Sequence, residues 1–257
     1  MKILILGAGR MGAWLAETLR PDHEVAVYDP DRQKLKRCLN VTRFPGPSEA
    51  KEFEPALVIN AADIAHVREA FETVLPHLPK TCILSDITSV KTGIRDLYKA
   101  LGRRFVSTHP MFGPTFANIR HPRDENAIII QESDPEGKAF FRDFYGGLHV
   151  NVHEYTFEKH DQTIAYSLSI PFASSMVFAA AMKQQEAPGT TFRRHLDIAR
   201  GLLSEDDQLL SEIMFNPYTV KQIEVISSSL AYLTHIIRAR DYEEMQKFLN
   251  RLRGHIC

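Results

Sequence analysis

The chain opens Met1-Lys-Ile-Leu-Ile-Leu-Gly-Ala-Gly-Arg-Met-Gly12, and this stretch decides the fold. Residues 2–6 are an apolar run of the length of a buried parallel strand. Gly7, Gly9 and Gly12 then satisfy G-x-G-x-x-G. In that pattern the first glycine permits a tight turn, the second lets a pyrophosphate approach the backbone, and the third lets helix pack on strand. Arg10 and Met11, where the turn runs into the helix that follows, are candidate cofactor contacts, because the free N–H groups and dipole at the start of that helix favour an anion. A second strand over 24–28 ends in Asp29, twenty residues past Gly9, where a carboxylate accepts hydrogen bonds from the ribose hydroxyls of NAD. A carboxylate there repels the 2′-phosphate of NADP, whereas Arg32, close behind, is a residue type that binds it. NAD is the expected cofactor, with NADP left open.

Bulk properties narrow the class. A length of 257 residues suffices for two modest domains or one large one. Lysine plus arginine (31) balances aspartate plus glutamate (32), so no excess charge points to nucleic acid or a membrane surface. The three cysteines, Cys38, Cys82 and Cys257, are widely spaced and odd in number, which predicts neither a disulfide framework nor a metal site. The first residues read as a strand, so no signal peptide is expected and a cytoplasmic location is. Residues 164–182 are nearly uncharged but contain four serines and Pro171. They are expected to form a buried helix in a core or dimer interface, not a membrane span.

Short apolar runs alternate with amphipathic ones through the first half. Strands are predicted over 2–6, 24–28, 56–60, 81–86 and 105–108, with helices over 11–19, 64–75 and 90–101. Runs at 127–131 and 148–152, flanking a helix over 135–145, extend the sheet. Past Tyr155 the strand pattern stops and helical segments follow, broken at Ala187-Pro-Gly189 and Asn216-Pro217. The expected architecture is α/β: a Rossmann-type, doubly wound, mainly parallel sheet over residues 1–155, then an all-helical domain over 156–257 for substrate binding and dimerisation.

Ligands of such sheets bind outside the carboxyl ends of the strands, and three segments fall there. Asn60-Ala-Ala-Asp63 reads either as cofactor wall, with Asn60, Ala61 and Ala62 as contacts, or as a plain strand-to-helix loop. Ser85-Asp-Ile-Thr-Ser-Val-Lys91 brings hydroxyls and a lysine towards the nicotinamide, with Asp86 a cofactor contact, unless Asp86, Thr88 or Ser89 serves as a helix cap. Ser107-Thr-His-Pro-Met-Phe-Gly-Pro114 holds a histidine before a proline, which biases it to extended backbone. There His109 is a candidate to bind or deprotonate a substrate hydroxyl.

The pair Asp86-Ile-Thr-Ser-Val-Lys91 and Thr108-His-Pro-Met-Phe-Gly-Pro114, behind the glycine turn, resembles prephenate dehydrogenase, with arogenate dehydrogenase its close relative. The likeness continues through Glu158-Lys-His-Asp161 and, more loosely, Leu202 to Met214. It implies an oxidoreductase of tyrosine biosynthesis that oxidatively decarboxylates prephenate to 4-hydroxyphenylpyruvate with NAD. The alternative is the same chemistry on arogenate, which has an amino group in place of the side-chain keto group. By that likeness His109 takes the hydrogen bond or proton of the ring hydroxyl, Ser89 orients His109 and touches cofactor and substrate, and the protein is a homodimer. The substrate's carboxylates call for a cation. Arg200 is the first candidate, although Gly201 occupies the matching register, and Arg193 and Arg194 are the alternatives. Thr115 is a further candidate substrate contact. Where the family often carries two histidines this chain reads Leu168-Ser-Ile-Pro-Phe172, so Ser169 and Phe172 replace them. His160 and Asp161, at an expected helix start, read first as cap and dipole partners. Two other classes stay open. One is a β-hydroxyacid or imine reductase with a catalytic lysine at Lys159 or Lys183; the other is a non-catalytic dinucleotide sensor.

Overall fold

The computed structural model describes residues 1–113 and 121–256. The described strands are β1 (Lys2–Leu6), β2 (Glu24–Tyr28), β3 (Thr42–Arg43), β4 (Leu57–Asn60), β5 (Ile83–Asp86), β6 (Phe105–Pro110), β7 (Asn126–Ile130) and β8 (Asn151–Tyr155). They form one sheet in the order β3-β2-β1-β4-β5-β6-β7-β8. The first six are parallel, β7 pairs antiparallel with β6, and β8 runs parallel to β7. The order reverses between β1 and β4, which opens a crevice at the carboxyl ends of these strands. This is the expected Rossmann-type domain.

Side-chain alternation along β1 builds both layers. Ile3 and Ile5 face a core shared with Trp14, Leu15 and Leu19 of α1 (Arg10–Leu19). Leu4 and Leu6 face the opposite core, with Ala50 and Phe53 of α2 (Ala50–Phe53), Phe71 and Val74 of α3 (Val67–Val74), and Leu97 and Tyr98 of α4 (Ile94–Leu101). All four β1 side chains are essentially inaccessible, as a strand covered on both faces requires. The helix α5 (Pro135–Gly147) joins the first layer through Phe141 and Tyr145.

From residue 157 the chain is helical: α6 (Phe157–Ile164), a π turn over Ala165–Ser169, α7 (Ile170–Ala181), α8 (Thr190–Leu202), α9 (Asp207–Met214), α10 (Thr219–Ala239) and α11 (Tyr242–Ile256). The π turn sits just before Pro171, which lacks the N–H a regular helix would use. Two boundaries differ from expectation for identifiable reasons. The helix predicted from 90 starts at Ile94, because Lys91 and Thr92 bond to Asp161 and Gly93 takes φ +79°. The strand predicted over 148–152 shifts to β8 because α5 continues to Gly147.

Candidate active site

The glycine turn is packed to its limit. Gly7 has φ +93°, and its N–H donates to the Tyr28 carbonyl at 2.8 Å. A Cβ at Gly12 would stand 1.9 Å from the Gly7 carbonyl oxygen, so only glycine lets α1 meet the turn this closely. At Gly9, by contrast, nothing lies within 4 Å of where a Cβ would be, which leaves an approach for a phosphate. Beside it a cavity of about 460 Å³ is lined by Gly7, Gly9, Asp29, Asp31, Lys34 and the Ala61-Ala62 pair, among others. Asp29 is 7 % exposed and accepts from Ala8 N at 2.7 Å and Asp31 N at 2.8 Å. Those two bonds fix the carboxylate at the cavity wall and leave lone pairs for ribose hydroxyls. These residues fit a dinucleotide.

A second cavity, about 370 Å³, has Met11, from the first turn of α1, in its wall. Ser89 and His109 line it, with Phe112 and Gly113 following the histidine. The loop after His109 is anchored by Met111 N donating to Asn126 O at 2.8 Å and by Phe112 meeting Trp14 edge-on at 5.4 Å between ring centroids. Leu168 and Phe172 close the helical side together with Leu209, Leu210 and Ile213, and Glu125 and Glu205 add two carboxylates.

Behind His109 runs a buried hydrogen-bond chain. Its Nδ1 lies 2.9 Å from His160 Nε2, and His160 Nδ1 lies 2.9 Å from Asp161 Oδ1. Asp161 also accepts from Lys91 N at 2.8 Å and Thr92 Oγ1 at 2.7 Å. Burial opposes a charge on Asp161, but the bonds from His160, Lys91 N and Thr92 outweigh it and hold the carboxyl below its usual range. An ionised Asp161 only accepts, so His160 carries its proton on Nδ1 and offers a bare Nε2 to the Nδ1–H of His109. That assignment leaves His109 Nε2 as an acceptor on the ring that lines the cavity. Burial, then the neighbouring His160 and Lys91, hold the His109 pKa well below 6.5, so the ring is neutral at neutral pH and keeps a lone pair to accept with.

Helix α6 is capped by Thr156, whose hydroxyl accepts from Lys159 N at 3.1 Å. His160 and Asp161 are therefore not caps; they join the helical segment to β6 and to the loop after β5. Lys91 links both ends of the chain. Its backbone N–H reaches Asp161, while its Nζ donates to Thr108 O at 2.8 Å and pairs with Asp86 at 2.6 Å.

Several predicted residues stand elsewhere. Asp86 is wholly buried between Lys91, Thr88 and Tyr98 and lines neither cavity, so the expected cofactor contact gives way to an internal ion pair. Asn60 is spent on its own loop, donating to Val67 O and accepting from Ala62 N. Arg193, Arg194 and Arg200 lie exposed on α8, and Arg200 pairs with Asp197 at 3.7 Å. None of the three lines the cavity beside His109. Arg10 is exposed at the start of α1. Ser169 is buried and bonded to Thr219 Oγ1 at 2.7 Å, leaving Phe172 as the replacement that meets the cavity. Thr115 lies outside the described residues. Sequence reasoning missed Glu125, Glu205 and the part of His160 and Asp161 in the chain behind His109; for the last two, the motif Glu158-Lys-His-Asp161 was the available signal.

Comparison with known proteins agrees with the fold. Residues 15–126 match the family "Prephenate dehydrogenase, nucleotide-binding domain". A probable arogenate/prephenate dehydrogenase of Methanocaldococcus jannaschii is 22% identical over 98% of this chain, which spans 60% of that relative's length. The prephenate dehydrogenase of A. aeolicus, solved with hydroxyphenyl propionate and NAD+, superposes with a TM-score of 0.85 at 20% identity, covering 99% of this chain and 96% of that one. Synechocystis arogenate dehydrogenase follows at a TM-score of 0.78, 22% identity and coverage of 99% and 98%.

Proposed function

We propose, from the match of residues 15–126 to the prephenate dehydrogenase nucleotide-binding domain family, that this chain is a nicotinamide-dependent dehydrogenase that oxidatively decarboxylates prephenate or its amino counterpart, arogenate. The observation that carries the reading is the chain His109–His160–Asp161 ending at a cavity beside the glycine turn. His109 Nε2 receives the proton of the substrate's ring hydroxyl. Proton density then shifts along the chain, so the positive charge that forms on His109 is offset by Asp161. Bound nicotinamide supplies the acceptor for the hydride leaving the carbinol carbon. Loss of the ring carboxylate as carbon dioxide completes an aromatic ring, which drives the reaction. Ser89, half-buried on the same wall, is in place to orient the reacting groups.

Asp29 and Asp31 on the wall of the first cavity support NAD over NADP, with Lys34 the one cation among the described lining residues. A reductase using Lys159 or Lys183 finds no support, since both side chains are exposed and neither lines the His109 cavity.

The test is absorbance at the reduced-nicotinamide band with purified protein, prephenate or arogenate, and NAD or NADP. We expect turnover of at least one substrate, abolished in His109→Asn. A protein that binds NAD yet turns over neither substrate is a sensor, and the enzyme reading then fails.

A further inference from the structure

A third cavity, about 450 Å³, shares no lining residue with the two described above. It lies between α1, with the residues that follow it, and the second half of α5. Leu19, Leu148 and two half-buried rings, Phe140 and Phe144, make up its apolar part. The rings are parallel, 6.4 Å apart between centroids with 2° between their planes. The charge around them is of one sign. Asp22 and Asp143 are exposed in the lining and have no side-chain hydrogen bond or ion pair among the described residues. Helix α1 ends at Leu19 and α5 at Gly147, both in the lining, so the negative ends of two helix dipoles add to these carboxylates. No lysine or arginine is among the described lining residues, and Arg142, next to Asp143, is spent on Glu154. His23 also lines the cavity; burial, then the chain's amino terminus, lower its pKa below 6.5 against the pull of Asp22, so it is neutral at neutral pH. The Thr18 hydroxyl donates to Trp14 O at 2.8 Å and has no proton left for an anion.

We infer that this cavity binds a small organic cation: an ammonium group on an aromatic or aliphatic body, with no carboxylate of its own. The ammonium donates charge-assisted hydrogen bonds to Asp22 and Asp143, which lack other partners. The ring faces of Phe140 and Phe144 attract the same charge through their quadrupoles, and the apolar body covers Leu19 and Leu148, which removes their surface from water. A carboxylate on the ligand would meet two like charges and find no donor, so anions and carboxylate-bearing ligands are disfavoured. The site is separate from the reaction proposed above, because neither the cofactor cavity nor the His109 cavity contributes a residue to it.

The experiment is calorimetric titration of the whole chain, saturated with NAD so that the cofactor cavity is filled. The probes are phenethylammonium and 3-phenylpropionate, which share a body and differ in the sign of the head group. Saturable binding of the cation is expected, with none of the anion. In the double variant Asp22→Asn, Asp143→Asn the Kd for the cation should rise about tenfold or more, while NAD affinity holds. Asparagine keeps the shape and removes the charge, and both positions are exposed, so the fold does not depend on them. Three results would each overturn the inference: no saturable binding of the cation at millimolar concentration, equal binding of the two probes, or a Kd that the double variant leaves unchanged. None of them touches the dehydrogenase reading, which stands or falls on turnover.

Discussion

At the scale of single residues, the proposed site is a base whose support lies out of the cavity. His109 reaches the substrate side through Nε2, while everything that fixes its tautomer comes from Asp161 through His160. In Asp161→Asn the acceptor that holds the His160 proton on Nδ1 is weakened and the amide can donate instead. We expect kcat to fall by roughly 10²–10⁴ while dinucleotide affinity stays put, since general-base catalysis is worth about that much. Steady-state kinetics beside calorimetric NAD titration checks it. Lys91 tests packing. Its ion pair with Asp86 is wholly inaccessible, and removing one partner of such a pair leaves an uncompensated charge. Lys91→Met should cost about 3–5 kcal/mol in urea unfolding, and adding Asp86→Asn should restore part of it.

The same residues set a pH dependence. Burial lowers the pKa of both His109 and His160 below the ordinary 6.5. As pH falls below that value the unfolded chain takes up protons that the folded site refuses. Stability contributed by these rings is thus complete above about pH 6.5 and is lost as the pH drops towards their folded values. The urea midpoint should decline between pH 7 and pH 5, and His109→Asn should flatten part of that decline. An equal decline in both proteins would mean that His109 is not held neutral.

At the scale of elements, local signals made the sheet legible and long-range contacts made half of the site illegible. The glycine turn, the strand ending in Asp29 and the proline after His109 all act within a few residues, so their meaning survives in the sequence. The partnership of His109 with His160 spans 51 positions, and no local pattern encodes it. Asp86 illustrates the converse. A carboxylate at a strand end reads alike whether it faces a ligand or a buried lysine, and only the packing of Lys91 and Tyr98 decides. The two-residue β3 was illegible because it is too short to show a period. Among the legible elements the meeting of β1 with α1 is the most exposed to a single change. A methyl group at Gly12 would sit 1.9 Å from the Gly7 carbonyl oxygen. Gly12→Ala must therefore shift the turn that faces the cofactor, and NAD affinity should fall by about tenfold or more, equivalent to 1.4 kcal/mol. Calorimetric titration reads this, and unchanged affinity would show that the turn yields without cost.

At the scale of the whole molecule the helical half leaves its apolar surface uncovered. No residue of α7 is buried. Val177 is 60 % exposed, and on α10 Val220, Val225, Leu230 and Ile237 are each more than half exposed. The run Phe157–Ala181 is long and apolar enough by composition to cross a membrane. Its first turns, however, are tied to the sheet through His160 and Asp161 and held by Asn216 Nδ2 on Asp161 O at 2.9 Å. Insertion into lipid would break those bonds and leave buried polar groups without partners. Apposing the same helices from a second copy keeps them and removes the apolar face from water, the arrangement a two-fold dimer provides. We therefore expect a dimer at micromolar concentration in sedimentation velocity, and a monomer when Val177→Glu and Val225→Glu are combined. A monomeric wild type that floats with lipid vesicles would reverse the assignment, because the same surface would then be meeting a membrane and not a second chain.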